Sequence, residues 1–213
     1  MGKREYGQYC GLARALEMVG ERWALLIVRD LFVGPRRYTD LRKGLPKIPT
    51  NILSARLKEM EAAGIIHRRV LPRPDGSVVY ELTPSGRELE PIVLMLGRWG
   101  ARALGEPRPG EIITPELLIM GIRSAFRPEA ALGVRAGYEL RIGEIVLAIV
   151  VEDGSLTVNE GPAVRPDLVI EAEPQFKSVL ARELTPDEAI AAGHVRLTGD
   201  PGLLKQLIEM VHL

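Results

Sequence analysis

The chain has 213 residues, no net charge at neutral pH, 46% apolar and 26% charged residues, a mix that suits a folded protein with room for two domains of ordinary size. The longest unbroken apolar run, residues 145–151, is too short to span a bilayer, and the charged start Met1-Gly2-Lys3-Arg4-Glu5-Tyr6 leads into no apolar stretch, so neither a membrane anchor nor a secretory signal is expected. A single cysteine, Cys10, excludes an internal disulfide framework and fits a reducing, cytoplasmic compartment.

The neutral total hides an asymmetry. Residues 1–104 hold 18 Lys+Arg against 11 Asp+Glu, and residues 105–213 hold 10 against 17, so the first half is basic and the second acidic. Such a split fits a first half that meets a polyanion, or two surfaces of opposite sign that attract each other.

Taken in chain order, the first half reads as short helices, a hairpin and a long helix. Leu12, Leu16 and Val19 stand at helical spacing, and Trp23, Leu26, Ile27 and Leu31 share one face of a helix over residues 22–32. Gly34-Pro35 stops that helix. A short helix follows around residues 38–43, then a turn through Leu45-Pro46-Lys47-Ile48-Pro49. Thr50 opens a helix to about Ala63, with Gly64 where a C-terminal cap belongs. Residues 65–71 and 77–82 are strand-like, joined by the turn residues Pro72-Arg73-Pro74-Asp75-Gly76. Thr83-Pro84 starts a last helix that continues to about Leu104.

The helix from Thr50 carries the functional argument. At 100° per residue, Ile52, Leu53, Leu57 and Met60 fall on one side and pack inward. Thr50, Asn51, Ser54, Ala55 and Lys58 fall opposite, small and hydrogen-bonding residues that suit a helix lying deep in a DNA major groove. Arg56 lies nearer the apolar flank, where it either braces the domain or reaches a phosphate. Before this helix, Arg36-Arg37-Tyr38-Thr39 can meet a phosphate backbone at a helix start. After it, Arg68, Arg69 and Arg73 lie along or near a hairpin tip that can reach a neighbouring minor groove. Helix, helix, recognition helix and basic hairpin make a winged helix-turn-helix.

The run from Tyr9-Cys10 to Trp99-Gly100 resembles the HxlR-type branch of the MarR-like winged-helix regulators. The resemblance rests on Cys10, Gly20-Glu21-Arg22-Trp23, Leu31, Gly34-Pro35-Arg36-Arg37-Tyr38, Leu53-Ser54-Ala55-Arg56-Leu57-Lys58-Glu59-Met60-Glu61, Gly64-Ile65, Tyr80-Glu81-Leu82-Thr83-Pro84-Ser85-Gly86 and Trp99. It implies a homodimeric transcriptional regulator on an operator, its dimer contacts made by the helix around residues 12–19 and the one from Ser85 to Leu104. Two recognition helices related by a two-fold axis imply a roughly palindromic site in double-stranded DNA. The expected DNA-binding residues are Arg36, Arg37, Tyr38, Thr39, Lys47, Thr50, Asn51, Ser54, Arg56, Lys58, Arg73, Asp75, Gly76 and Ser77. Relatives of this type sense oxidants through a cysteine matching Cys10. Here that residue is either a redox sensor whose thiol is activated at the start of a helix and close to Arg14, or a small residue packed at the dimer seam.

Gly105-Glu106-Pro107-Arg108-Pro109-Gly110 reads as an inter-domain linker, which divides the chain into domains 1–104 and 114–213 with a linker at 105–113. Beyond it a helix over residues 115–126 precedes strands over 137–142, 144–151, 155–159 and 167–171. Helices over 174–182 and 186–192, a strand over 194–198 and a closing helix from Asp200 to Val211 complete an α+β domain. Residues 138–207 resemble the sterol carrier protein-like fold through Val151-Glu152-Asp153-Gly154, Gly161-Pro162, Arg165-Pro166-Asp167-Leu168-Val169-Ile170, Ala189-Ile190-Ala191-Ala192-Gly193 and Val195-Arg196-Leu197-Thr198-Gly199-Asp200. That fold implies either a pocket for an apolar effector or a core filled by its own side chains and kept for dimerisation. The rival reading for the whole chain is a carrier or sequestering protein whose winged helix serves protein contacts. His67, His194 and His212 stand far apart without metal-ligand spacing, and no phosphate loop, nucleophile elbow or dinucleotide fingerprint occurs. Neither a metal, a cofactor nor an enzymatic activity is expected.

Overall fold

The computed structural model describes residues 5–105, 107–173 and 176–212. Gly2, Glu106 of the expected linker and Pro174, the expected start of a helix, lie outside them. The chain divides into two compact units, Met1–Val93 and Leu94–Leu213.

The first unit runs α1 (Gly11–Val19), α2 (Ala24–Phe32), α3 (Tyr38–Gly44), α4 (Thr50–Ala62), β1 (Ile66–Val70), β2 (Val78–Leu82) and α5 (Pro84–Arg87). Ile27, Val28 and Leu31 of α2 and Leu53, Leu57 and Met60 of α4 are buried at helical spacing, so each helix gives one stripe to the core. Gly64 (φ +72°) ends α4, with Gly64 N–H donating to Glu61 and Ile65 N–H to Met60, a paired cap that turns the chain straight into β1. β1 and β2 are antiparallel, with Ile66 opposite Leu82 and Val70 opposite Val78. Arg36 adds a third rung, its N–H donating to Tyr80 O at 2.9 Å and its carbonyl accepting from Tyr80 N at 2.8 Å.

One expected element is corrected. The single helix from Thr83-Pro84 to Leu104 is two: α5 ends at Arg87, and α6 spans Glu90–Ala101. The break has a cause in Pro91, which lacks an N–H for the Arg87 carbonyl and whose ring would clash with it. α6 crosses the division between the units.

In the second unit, α7 (Pro115–Ala125) is followed by a 3-10 turn at Pro128–Ala131, then β3 (Arg135–Ile142), β4 (Ile145–Glu152), β5 (Ser155–Glu160), β6 (Leu168–Ala172), α8 (Phe176–Leu180), α9 (Pro186–Ala191), β7 (Val195–Gly199) and α10 (Gly202–Met210). The five strands form one sheet in the order β5-β4-β3-β6-β7. β6 runs parallel to β3, and the other neighbours are antiparallel. Alternate residues Tyr138, Leu140, Leu147, Ile149, Leu168 and Ile170 are buried, as are Ile119 and Ile122 of α7 and Leu204, Leu207 and Ile208 of α10. The period-2 pattern of the strands and the 3.6 period of the helices thus meet in one core. Asp200 holds the start of α10, its Oδ1 accepting from Gly202 N–H at 2.8 Å.

Candidate nucleic-acid interface

Thr50, Asn51, Ser54 and Lys58 are exposed along one side of α4, and Ala55 is half-buried among them. The start of α4 is tied to the start of α3: the Tyr38 hydroxyl donates to Thr50 O at 3.0 Å and accepts from Ser54 Oγ at 3.4 Å. Tyr38 therefore positions α4 as well as lining its exposed side. Arg37 precedes α3, where its N–H donates to Asp40 Oδ2 at 3.0 Å. Its guanidinium reaches across to the hairpin turn and pairs with Asp75 at 2.5 Å. Ser77 first, and then the Arg37 charge, hold the Asp75 carboxyl below the ordinary carboxylate range. Gly76 sits at φ +60°, a left-handed turn position that favours glycine.

These contacts bring Arg37, Tyr38, Thr50, Ser54, Asp75 and Ser77 together across α3, α4 and the hairpin. Thr39, Lys47 and Arg73 are also exposed, and Arg36 is fixed by its backbone rung with Tyr80.

Arg56 does not join them. It is only 7% exposed, and its guanidinium pairs with Glu59 at 2.6 Å and Glu21 at 3.7 Å. Of the two roles open to it, the structure shows bracing, with α4 tied to the segment before α2. The hairpin arginines are paired as well. Arg68 pairs with Glu61 at 2.9 Å, and Arg69 pairs with Glu81 at 2.9 Å. Both guanidinium groups are held more firmly protonated by those carboxylates, but their charge is matched inside the domain. Of the three, Arg73 is the one in the turn itself.

Cys10 is exposed at the N-terminal boundary of α1. Its thiol pKa is lowered by the backbone N–H of Ala13 and, less, that of Leu12. Arg14, the second influence expected on the thiol, is turned to Glu17 at 2.7 Å. The activating groups are therefore the unpaired amides of a helix start. Of the two influences expected on the thiol, the helix start acts on it and the Arg14 charge is directed elsewhere.

Two helices carry large exposed apolar side chains. On α1, Leu12 is 68% exposed and Leu16 40%. On α6, Met95 and Trp99 are 72% and 70% exposed, alongside Ile92 and Leu96.

In the second unit, Tyr138, Leu147, Leu168, Ile170 and Leu204 are all 0% exposed. A side chain with no accessible surface borders no water-sized void, so around these residues the space between sheet and helices is filled. A cavity of about 420 Å³ lies elsewhere in this unit, lined by Arg141, Glu171, Glu173, His194 and Arg196, groups unsuited to an apolar guest. Among the described residues, no group of three or more His, Cys, Asp and Glu is placed to hold a metal, and no helix is long and apolar enough to cross a membrane.

The fold and the exposed face of α4 define a class, the DNA-binding winged helix-turn-helix. The family described as HxlR-like helix-turn-helix matches residues 18–107, and the SCP-2 sterol transfer family matches residues 124–212. The chain is 35% identical over 97 residues to an uncharacterized HTH-type transcriptional regulator, sll1512, of Synechocystis, covering 46% of this chain and 72% of that protein. It is 36% identical over 93 residues to the uncharacterized HTH-type transcriptional regulator YdeP of Bacillus subtilis, covering 44% and 73%. The redox regulator HypR in its oxidized form superposes with a TM-score of 0.42 at 35% identity, covering 44% of this chain and 96% of that one. The chain belongs to the HxlR-like helix-turn-helix family of transcription regulators and carries an SCP-2-type domain behind its DNA-binding one.

Proposed function

We propose that this protein is a cytoplasmic, non-enzymatic homodimeric regulator that binds a palindromic operator with α4 in the major groove. The observation that carries the reading is the exposed face of α4: Thr50, Asn51 and Ser54 offer hydrogen bonds to base edges, and Lys58 a charge to phosphate. Arg36, Arg37, Thr39 and Lys47 supply the flanking contacts, and residues 73–77 form the wing. Self-association through α1 and α6 is supported by the apolar side chains they expose, more than a monomer keeps in water without purpose. The domain limits that serve this reading are 1–104 and 114–213, with a linker at 105–113.

Cys10 modulates the protein as an oxidant-sensitive thiol in this account, supported by its exposure and lowered pKa. For the second domain, the filled space around Tyr138, Leu147 and Leu168 supports a role in assembly over an apolar effector pocket. The same packing weighs against the carrier alternative. The test is selection of genomic DNA fragments by the native protein and by an Asn51→Ala/Arg37→Ala variant. One palindromic sequence, enriched by the native protein and lost with the variant, is the expected result. No enrichment at moderate salt, under reducing conditions, would overturn the reading in favour of a protein-contact module.

A further inference from the structure

A protein that reads DNA gains affinity from each cation it presents to phosphate. Arg37 stands at the start of α3, next to the tyrosine that fixes the recognition helix, and is suited to such a contact. Yet its guanidinium is already occupied. Asp75, 38 residues further along the chain, holds it at 2.5 Å, with the two side chains 48% and 38% exposed. The carboxylate comes from the hairpin turn and sits on the surface that the DNA reading needs to be positive.

A carboxylate and a phosphate each offer a guanidinium a pair of anionic acceptor oxygens. We propose that Asp75 is an affinity-setting residue: it occupies Arg37 in the free protein as a phosphate would, and DNA must displace it. This inference rests on the DNA-binding reading and adds a restraint to it. The pair closes the hairpin turn onto α3 in the absence of DNA, and its exchange for a phosphate frees the turn while leaving one unpaired carboxylate beside the duplex. Both effects weaken binding to any sequence, so the restraint acts chiefly to keep the protein off bulk DNA. The short distance and the lowered pKa of Asp75, set by Ser77 and Arg37, keep the carboxylate ionised and competitive throughout the neutral range.

The experiment measures binding of the full chain to a labelled random-sequence duplex over a salt series, for the native protein, Asp75→Asn, Arg37→Ala and the double variant. Asp75→Asn preserves the shape of the turn and removes the charge, and thermal melts check that each variant is folded. The expected result is binding about two- to fivefold tighter for Asp75→Asn, the range an exposed ion pair commands. The slope of log affinity against log salt should stay close to the native one, because Arg37 meets its phosphate in both complexes. In the double variant the gain should vanish, leaving the affinity of Arg37→Ala alone. Weaker or unchanged binding by a folded Asp75→Asn would overturn the proposal and make the pair a simple brace. If the native protein itself binds no duplex at low salt, the DNA-binding reading falls first, and this restraint with it.

Discussion

Asn51 and Lys58 share one face of α4 but present different chemistry to a duplex. An amide can bond two atoms of an adenine edge, whereas an ammonium on a flexible stem acts as a point charge. Asn51→Ala is expected to lower the preference for the operator over random DNA by roughly 1–3 kcal/mol. Lys58→Ala should weaken both by the same factor and lower the salt slope by about one, and parallel anisotropy titrations on the two duplexes distinguish these results. Cys10 gives a second prediction. Because backbone amides of α1 lower its pKa, more thiolate is present at a given pH in the folded chain than in the unfolded one. Alkylation of the native protein should therefore reach half its maximal rate at a lower pH than in denaturant, and should slow as pH falls through that point. Coincident pH profiles would contradict the shift. At this scale the sequence was legible where chemistry is local: Thr50, Asn51, Ser54 and Lys58 could be placed outward from helical phase alone. Arg56 could not be resolved: its nearer partner Glu59 lies within α4, but its second partner Glu21 lies 35 residues away, and a helical wheel shows direction without showing who waits there. The pairing of Arg68 and Arg69 with Glu61 and Glu81 was hidden for the same reason.

At the scale of elements, Arg98 ties α6 to α7 within the second unit. Arg98 Nε donates to Ser124 O at 2.6 Å and its Nη2 to Phe126 O at 3.0 Å, so a cation meets the carbonyls at the C-terminal end of α7, where a helix end is electronegative. Arg98→Ala should cost about 1.5–3 kcal/mol, the range for hydrogen bonds to charged groups, read as a lower denaturant midpoint with unchanged m-value. No loss would show that the contact is replaced by water. The helices and strands themselves were largely readable from period and from turn residues such as Gly64, Pro72 and Asp75. The break before Glu90 was missed because Pro84 and Pro91 both suit a helix start, and only the second also ends the helix before it. The Arg36–Tyr80 rung and the parallel pairing of β6 with β3 were illegible for a different reason. Each joins segments far apart in sequence, and hydrophobic alternation fixes which face a strand buries without naming its neighbour.

For the whole molecule, the account needs two copies. The apolar side chains of α1 and α6 are the surfaces it assigns to the partner copy, and a charge there should separate the protomers. Leu12→Asp/Met95→Asp is expected to sediment as a monomer with an intact fold and to lose most of its operator affinity, because the two half-sites no longer act through one molecule. A dimer that survives the substitution would place the interface elsewhere. The division into a basic and an acidic half was visible in composition, but the close packing around Tyr138, Leu147 and Leu168 was not, since composition counts apolar residues without showing whether they meet.

The central claim is that α4 reads DNA as one of a symmetric pair. Hydroxyl-radical footprinting of the native protein on an enriched genomic fragment tests it most directly. The account predicts two protected blocks about one helical turn apart, related by the symmetry of the sequence and lost with Asn51→Ala. A single unsymmetrical block, or protection that ignores Asn51, would contradict it.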